Sequence, residues 1–537
     1  MDLFSLQGES GTRSTQSESP KPAAMSLRDA LRAVRHPLYL VQRDGALVPE
    51  LGGSGSVNSC VGYAPACLPE NLGDPSFCRE IGIRFPYLGG SMAKGISSAA
   101  MAEELGRAGM LGFFGAAGLP ISTVSDTADR LKQSLGDIPY GFNLIHSPHE
   151  PELEKELAEL YIRKDVRIIE ASAFLALTLP LVRYRLHGIK RAADGSIVTP
   201  NRIIAKVSRE ELAAKFFAPA PEKLLRALVE NGSITAEQAE LAAHVPLAQD
   251  VTAEADSGGH TDNRPAMALF PTINSLAARL ERQYDYDCKL RVGLGGGVST
   301  PASAAAAFAM GAAYIMTGSV NQACVESGTS DTVRSMLAGT RQADVTMAPA
   351  ADMFEMGVTV QVLKRGTMFP MRAAKLYELY RAYGSMDEIP APEREKLEKT
   401  MFLAPLEEIW RGTREYFLKR DPSQVERSER DPKHKMALVF RWYLGMGAHW
   451  AKDGIENRKM DYQVWCGPAM GAFNEWAAGS FLEAAAERKI VTVALNILQG
   501  AAHLTRANFL RSQGIELRLE EIAPQPLEIA QIKEYLC

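Results

Sequence analysis

Leu290-Arg-Val-Gly-Leu-Gly-Gly-Gly-Val-Ser-Thr-Pro301 and, one helix further on, Ala313-Tyr-Ile-Met-Thr-Gly-Ser319 decide how this chain is read. Each is a short apolar run that ends in glycine. Between them, Pro301 to Met310 is alanine-rich, the composition of a good helix former. Strand, glycine turn, helix and strand make one βα unit of a parallel sheet. Glycine lacks a Cβ, so the backbone N–H groups of such turns can approach an anion closely. A single turn of this kind needs glycine only for its geometry. Two of them, after the last two strands of a barrel, favour a phosphate site at Gly296, Gly297, Gly318 and Ser319.

The rhythm extends backwards. Phe85-Pro-Tyr-Leu-Gly-Gly, Met110-Leu-Gly-Phe-Phe-Gly, Tyr140-Gly-Phe-Asn-Leu-Ile, Val166-Arg-Ile-Ile-Glu, Arg202-Ile-Ile-Ala-Lys-Val and Asp250-Val-Thr-Ala-Glu-Ala are six more apolar runs, each followed by a helical pattern. Eight strands alternating with helices over about 250 residues predict an α/β chain built on a (β/α)8 TIM barrel. The barrel is expected at residues 85–330, with a helical insertion at about 217–249. Around it we expect a mobile tail (1–26), an N-terminal capping segment (27–84), a helical lid or substrate segment (331–385) and a C-terminal helical region (386–537). The stretch from Gly357 to Phe369 reads as the mobile middle of that lid.

Composition narrows the function. The chain has 537 residues, is 46% hydrophobic and has a net charge of −5. That balance excludes a disordered chain and a generally basic nucleic-acid binder. The longest apolar run, Ala302 to Ile315, is mostly alanine, so no membrane span is expected. The N-terminus has no basic stretch followed by an apolar one, which points to a cytoplasmic protein. The cysteines number seven, with no CxxC pair; reduced thiols and no metal site are expected.

Glu254-Ala-Asp-Ser-Gly-Gly-His260 follows the sixth strand. A histidine on a loop at the mouth of a barrel can move a proton near neutral pH, or it can be a structural hydrogen-bonding residue. Asn143, at the end of strand three, can offer a donor and an acceptor to a heterocycle edge. Lys206, at the end of strand five, can meet an anion or a ring carbonyl. Glu170 and Ser172, at the end of strand four, are weaker candidates. Ser91-Met-Ala-Lys would put main-chain groups and the thioether of Met92 at the mouth. His146 and His149 flank Pro148 in what reads as a surface turn. Lys364, Arg365, Arg372 and Lys375 form a basic cluster, and Arg430, Lys433, His434 and Lys435 a second. Each is either a solvated face or a dock for an acidic partner.

Gly89-Gly-Ser-Met-Ala-Lys-Gly-Ile-Ser, Gly141-Phe-Asn, Ala255-Asp-Ser-Gly-Gly-His, Gly295-Gly-Gly-Val and Thr317-Gly-Ser together resemble the nitronate monooxygenase-like flavoproteins, which include FMN-dependent enoyl reductases. A narrower resemblance covers nearly the whole chain after the tail. Asp256-Ser-Gly-Gly-His-Thr-Asp-Asn-Arg-Pro, Ala348-Pro-Ala-Ala-Asp-Met-Phe-Glu-Met-Gly, Lys364-Arg-Gly-Thr-Met-Phe-Pro and Trp465-Cys-Gly-Pro-Ala-Met-Gly-Ala-Phe-Asn-Glu-Trp are similar to the PfaD family. These are trans-acting enoyl reductases of polyunsaturated fatty acid and polyketide synthases.

The resemblance implies FMN at the barrel mouth. Its phosphate would lie on Gly296, Gly297, Gly318 and Ser319, and its ring near Met92, Asn143, Lys206 and Gly259, with His260 over it. It implies NADPH as reductant and a 2-enoyl thioester on an acyl carrier protein as substrate. The basic cluster at Lys364, Arg365, Arg372 and Lys375 would then meet the acidic carrier. A homodimer is left open. Two other readings share the same residues: a nitronate monooxygenase-like flavin oxygenase, and a non-catalytic scaffold protein of a synthase. One departure from the family is Gly295-Gly-Gly-Val, where many relatives have alanine before two glycines and then isoleucine.

Overall fold

The computed structural model describes residues 25–52, 59–146 and 151–536. Nearly all of the expected tail, His149 and Cys537 lie outside the described residues. The barrel strands are β1 (Tyr87–Gly89), β2 (Leu111–Phe114), β3 (Gly141–Ile145), β4 (Ile168–Ser172), β5 (Arg202–Val207), β6 (Asp250–Glu254), β7 (Arg291–Gly295) and β8 (Ile315–Thr317). They form a closed barrel in chain order, and β8 returns to β1 through Ile315↔Tyr87 and Thr317↔Gly89. All five residues of β4 and of β7 are buried. Burial on both faces is why these strands read as continuous apolar runs and not as alternation.

Helix caps follow from the sequence. Ser98, Thr178 and Thr300 each accept a hydrogen bond from the third backbone N–H of the helix they precede. Thr235 and Gln238 close a capping box in the insertion, whose helices are Glu222–Glu230 and Ala236–Ala242. The floor of the barrel is shut by the helix Pro75–Ile81. Its Phe77 stacks on Tyr314 with ring centroids 4.3 Å apart. The buried Arg291 bonds Asp250 at 2.7 Å and reaches Glu80 at 3.1 Å. The chemistry must therefore lie at the other end.

The segment 27–84 divides between two neighbours. Its last helix plugs the barrel floor, whereas Leu27–Arg32 and a three-stranded sheet pack on the long helix Ile490–Ser512. Buried Arg506 of that helix donates to the carbonyls of Ala30, Leu31 and His36.

After the barrel, the stretch read as a mobile middle proves to hold a strand, Thr359–Leu363. It pairs with Val345–Pro349 on one side and with Gly259–His260 on the other. Its Thr-Val-Gln-Val-Leu composition suits a pleated, buried surface, and this local preference prevails over the helical surroundings. Beyond it come the helices Phe369–Ala382, Ala391–Leu397, Leu406–Arg420, Pro422–Arg430 and Pro432–Asp453. The last three line the barrel mouth, so this cover, the lid, reaches past the expected segment 331–385. Among the described residues no helix is long and apolar enough to cross a membrane. Cys60, Cys67, Cys78, Cys288, Cys324 and Cys466 are free thiols.

Candidate active site

The C-terminal ends of the barrel strands and the lid enclose a cavity of about 1230 Å³. That exceeds the usual range for a single small ligand, about 300–1,000 Å³. Met92, Asn143, Lys206, Gly259, His260, Gly296, Gly297, Gly318 and Ser319 all line it.

The turns after β7 and β8 form one side. Gly296 and Gly297 have φ of +79° and +73°. A Cβ on Gly296 would lie 2.5 Å from the carbonyl oxygen of Ala255, so only glycine fits. Gly318 caps the short helix Ser319–Gln322. The backbone N–H groups of Gly296, Gly297 and Gly318 donate to no acceptor among the described residues. The Ser319 hydroxyl accepts from the N–H of Gly467 at 3.1 Å. Three unsatisfied donors on positive-φ or capping glycines suit a phosphate, so the residues present fit the anionic end of FMN.

The barrel side is a locked polar network. Lys206 Nζ lies 3.3 Å from Glu170 and 3.2 Å from Glu254. Burial opposes its charge, yet the two carboxylates hold its pKa above that of an ordinary lysine. Glu170 is wholly buried. It accepts from the backbone N–H and hydroxyl of Ser91, at 3.0 and 2.6 Å, and from the Ser172 hydroxyl at 3.1 Å. Glu170 and Ser172 thus position Lys206 and the loop after β1. Asn143 accepts from the N–H of Ala117 through Oδ1 at 3.1 Å, which leaves its amide nitrogen to the cavity.

The lid side brings partners that sequence reading did not find. His260 Nε2 lies 3.2 Å from Asp352 Oδ1. Its ring opens into the cavity and is 43% exposed. Burial disfavours its charged form, but the Asp352 hydrogen bond and charge outweigh burial and raise its pKa above the ordinary value. Asp352 moves the other way: burial raises it, and the His260 bond and charge bring it below the ordinary carboxylate range. Arg441 Nε donates to the carbonyl of Ala351 at 2.8 Å. His434 bonds Glu355 at 2.8 Å, so the loop that carries Asp352 is pinned at both ends.

Lys94 also lines the cavity. Its Nζ donates to the Gly445 carbonyl at 3.1 Å and lies 5.8 Å from the Trp465 ring centre. Burial, helped by Lys452, lowers its pKa to about 8. The loop bearing His260 presses on the 465–467 segment. A Cβ on Gly258 would lie 2.8 Å from the Cys466 nitrogen. Asp352 and Trp465 stand in strings already quoted for the family resemblance, and that was the only signal for them.

The basic cluster does not line the cavity. Arg372 turns inward to Asp461, Lys375 pairs with Glu393 at 3.1 Å and Arg365 with Asp344 at 3.4 Å. Lys364 is exposed. In the second cluster His434 is buried and Lys435 pairs with Glu407 at 3.0 Å, so that face is largely structural.

A closed (β/α)8 barrel with a glycine cradle after β7 and β8 and a histidine on the loop after β6 defines the class of molecule. Comparisons with known proteins narrow it. The chain is 41% identical to the solved enoyl reductase domain of MlnA from the macrolactin biosynthesis cluster of Bacillus amyloliquefaciens, with a TM-score of 0.78, covering 82% of this chain and 99% of that domain. It is 47% identical over 97% of its length to one of the polyunsaturated fatty acid synthase proteins of Thraustochytrium. It is 46% identical over 77% of its length to the polyketide biosynthesis protein PksE of Bacillus subtilis. The chain spans 36% and 54% of those two relatives. Residues 383–462 match the family model of the inserted helical domain of acyl-carrier-protein S-malonyltransferase. The chain belongs to the PfaD family.

Proposed function

We propose that this chain is an enoyl reductase that uses FMN and NADPH to reduce a 2-enoyl thioester presented in trans on an acyl carrier protein. The glycine cradle and the His260–Asp352 pair in one cavity support this reading, in a chain 41% identical to a solved enoyl reductase domain. When bound, FMN supplies the hydride chemistry that connects NADPH to the β-carbon of the enoyl group. Gly296, Gly297, Gly318 and Ser319 would hold its phosphate, and Met92, Asn143, Lys206 and Gly259 would surround its ring.

The chain's own residues do the rest. Asp352 accepts from His260 Nε2, which leaves Nδ1 as the atom that holds or passes a proton. The Asp352 carboxylate favours the protonated ring, which can supply the proton that the α-carbon of the substrate needs. Carrier recognition falls to the outer residues Lys364, Arg365 and Lys375, with Arg372 a structural member of that cluster. The similarity of residues 383–462 to a domain of another carrier-dependent enzyme supports a carrier-facing lid.

The test is anaerobic. Purified, flavin-loaded protein mixed with NADPH should bleach, and crotonyl thioester should restore the colour. Bleaching without recovery refutes the enoyl substrate, and oxygen uptake with a nitronate in the absence of NADPH favours the oxygenase reading. In His260→Ala, bleaching by NADPH should survive while enoyl reduction falls by about a hundredfold. Unchanged enoyl turnover would exclude His260 as the proton donor.

A further inference from the structure

Three histidine–carboxylate pairs face this cavity. The proposed reaction uses His260–Asp352, and in His434–Glu355 both ring nitrogens are engaged, Nδ1 by Glu355 and Nε2 by Gln424. The third is His146, read from sequence as part of a surface turn. It follows β3 directly, and its backbone N–H donates to the Ser172 carbonyl of β4 at 3.1 Å. Its ring lines the cavity. Nδ1 lies 2.8 Å from Glu154 Oε2. Glu154 is 3% exposed, and its other oxygen accepts from the Thr178 hydroxyl. With Nδ1 facing the carboxylate, the Nδ1–H tautomer leaves Nε2 as the acceptor. Stacking on Phe174, with centroids 5.2 Å apart and planes 20° apart, fixes the plane of the ring. Nε2 itself has no hydrogen-bond partner among the described residues.

The topology says which part of the cavity this is. Eight strands closed in chain order put β3 and β4 across the mouth from β7 and β8. His146 therefore stands opposite the glycine cradle, beside Phe174 and Leu175, at the end away from the phosphate-binding turns. A buried carboxylate costs several kcal/mol unless it is well partnered. Here that costly group orients an imidazole whose second nitrogen is offered to the cavity.

We propose that His146 is a ligand-binding residue: its Nε2 accepts a hydrogen bond from an N–H or O–H group on the pantetheine arm of the thioester substrate. The inference rests on the enoyl reductase reading and adds to it. An enoyl chain has no donor to give, whereas the arm carries amide N–H groups and a hydroxyl. NADPH carries such donors too, so the experiment must separate the two sources.

The flavin-loaded protein is compared with His146→Phe, which keeps an aromatic ring against Phe174, and with His146→Gln, which restores an acceptor near the position of Nε2. Two readouts are used: the Kd of unreactive butyryl-pantetheine, and kcat/KM for crotonyl-pantetheine against S-ethyl thiocrotonate, which has no amide or hydroxyl. In His146→Phe the pantetheine compounds should weaken about tenfold, the usual effect of one hydrogen bond. S-ethyl thiocrotonate and bleaching by NADPH should not change, and His146→Gln should recover most of the loss. Equal loss on both thioesters, no loss on either, or a loss confined to the NADPH step would overturn the proposal. If wild-type protein reduces neither thioester, the enoyl reductase reading itself fails. If wild type reduces both and the variants match it, only the role of His146 fails.

Discussion

The two walls of the cavity are built on different principles. On the barrel wall, partners stand on neighbouring strands. Lys206 on β5 sits between Glu170 on β4 and Glu254 on β6. On the lid wall, partners come from far along the chain. His260 meets Asp352 across 92 residues, Arg441 meets Ala351 across 90, and Lys94 meets Gly445 across 351. Barrel partners follow from topology, because strand order in the chain is strand order in space. Lid partners follow from docking, which no local pattern announces. The barrel wall should accordingly be stiff and intolerant, and the lid wall should tune chemistry at lower cost in stability.

The largest expected effect tests the stiff wall. Lys206→Met removes the cation from beside the wholly buried Glu170 and leaves that carboxylate with only hydroxyl and N–H partners. Breaking a buried pair from one side costs about 3–5 kcal/mol. A denaturant titration should show that loss as a lowered midpoint with an unchanged slope. A loss below about 1 kcal/mol would mean that water reaches this network, and the contrast between the walls would collapse.

The next effect is kinetic and belongs to the lid. Asp352→Asn should cut enoyl reduction by about tenfold while global stability changes little. The pH profile gives the sharper signature. Asp352 raises the pKa of His260, so the rate that needs the imidazolium persists to higher pH and falls as pH rises through that raised value. Removing the carboxylate should move this falling limb to lower pH. The same sign governs stability: the pair's contribution is full below about 6.5, the unfolded value, and is lost as pH rises through the folded one. A falling limb that stays in place would assign it to another group, and Lys94, with a pKa of about 8, is the first to consider.

The same contrast separates what the amino-acid sequence makes legible from what docking alone decides. The eight strands, the glycine turns and the place of His260 were legible because a barrel repeats one local signal. Asn143, Lys206 and the four cradle residues followed, since strand ends in such a barrel converge. The strand Thr359–Leu363 was missed because its neighbours are helical and its partners lie elsewhere: Gly259–His260 belong to a loop of the barrel. Asp352 was missed with it. His146 was discounted as a turn residue, although a histidine directly after Asn143-Leu-Ile at the end of β3 had to sit at the mouth. The basic cluster shows the opposite error. Charges close in sequence read as one patch, but the helix Phe369–Ala382 turns Arg372 inward to Asp461, while Lys364, just past the strand Thr359–Leu363, is exposed.

The smallest expected effect concerns that outer face. Lys364→Glu with Arg365→Glu places negative charge where an acidic carrier would approach, without touching the cavity. Arg365 gives up a half-exposed pair with Asp344 and a hydrogen bond to the Gly339 carbonyl, a loss of about 1–2 kcal/mol that the fold should withstand. Rim charges act mainly on association and on its salt dependence. The double variant should therefore raise KM for a carrier-bound enoyl substrate by about threefold at low salt. The difference should fade as ionic strength rises and the Debye length contracts. Crotonyl-pantetheine, which needs no docking, should be reduced at the wild-type rate. Arg372→Glu serves as the contrast, because it disrupts a largely buried pair and should lower stability and turnover on both substrates alike. If the outer pair behaved like Arg372, with equal losses on both substrates, the lid's outer face would be part of the scaffold and carrier docking would have to lie elsewhere on the chain.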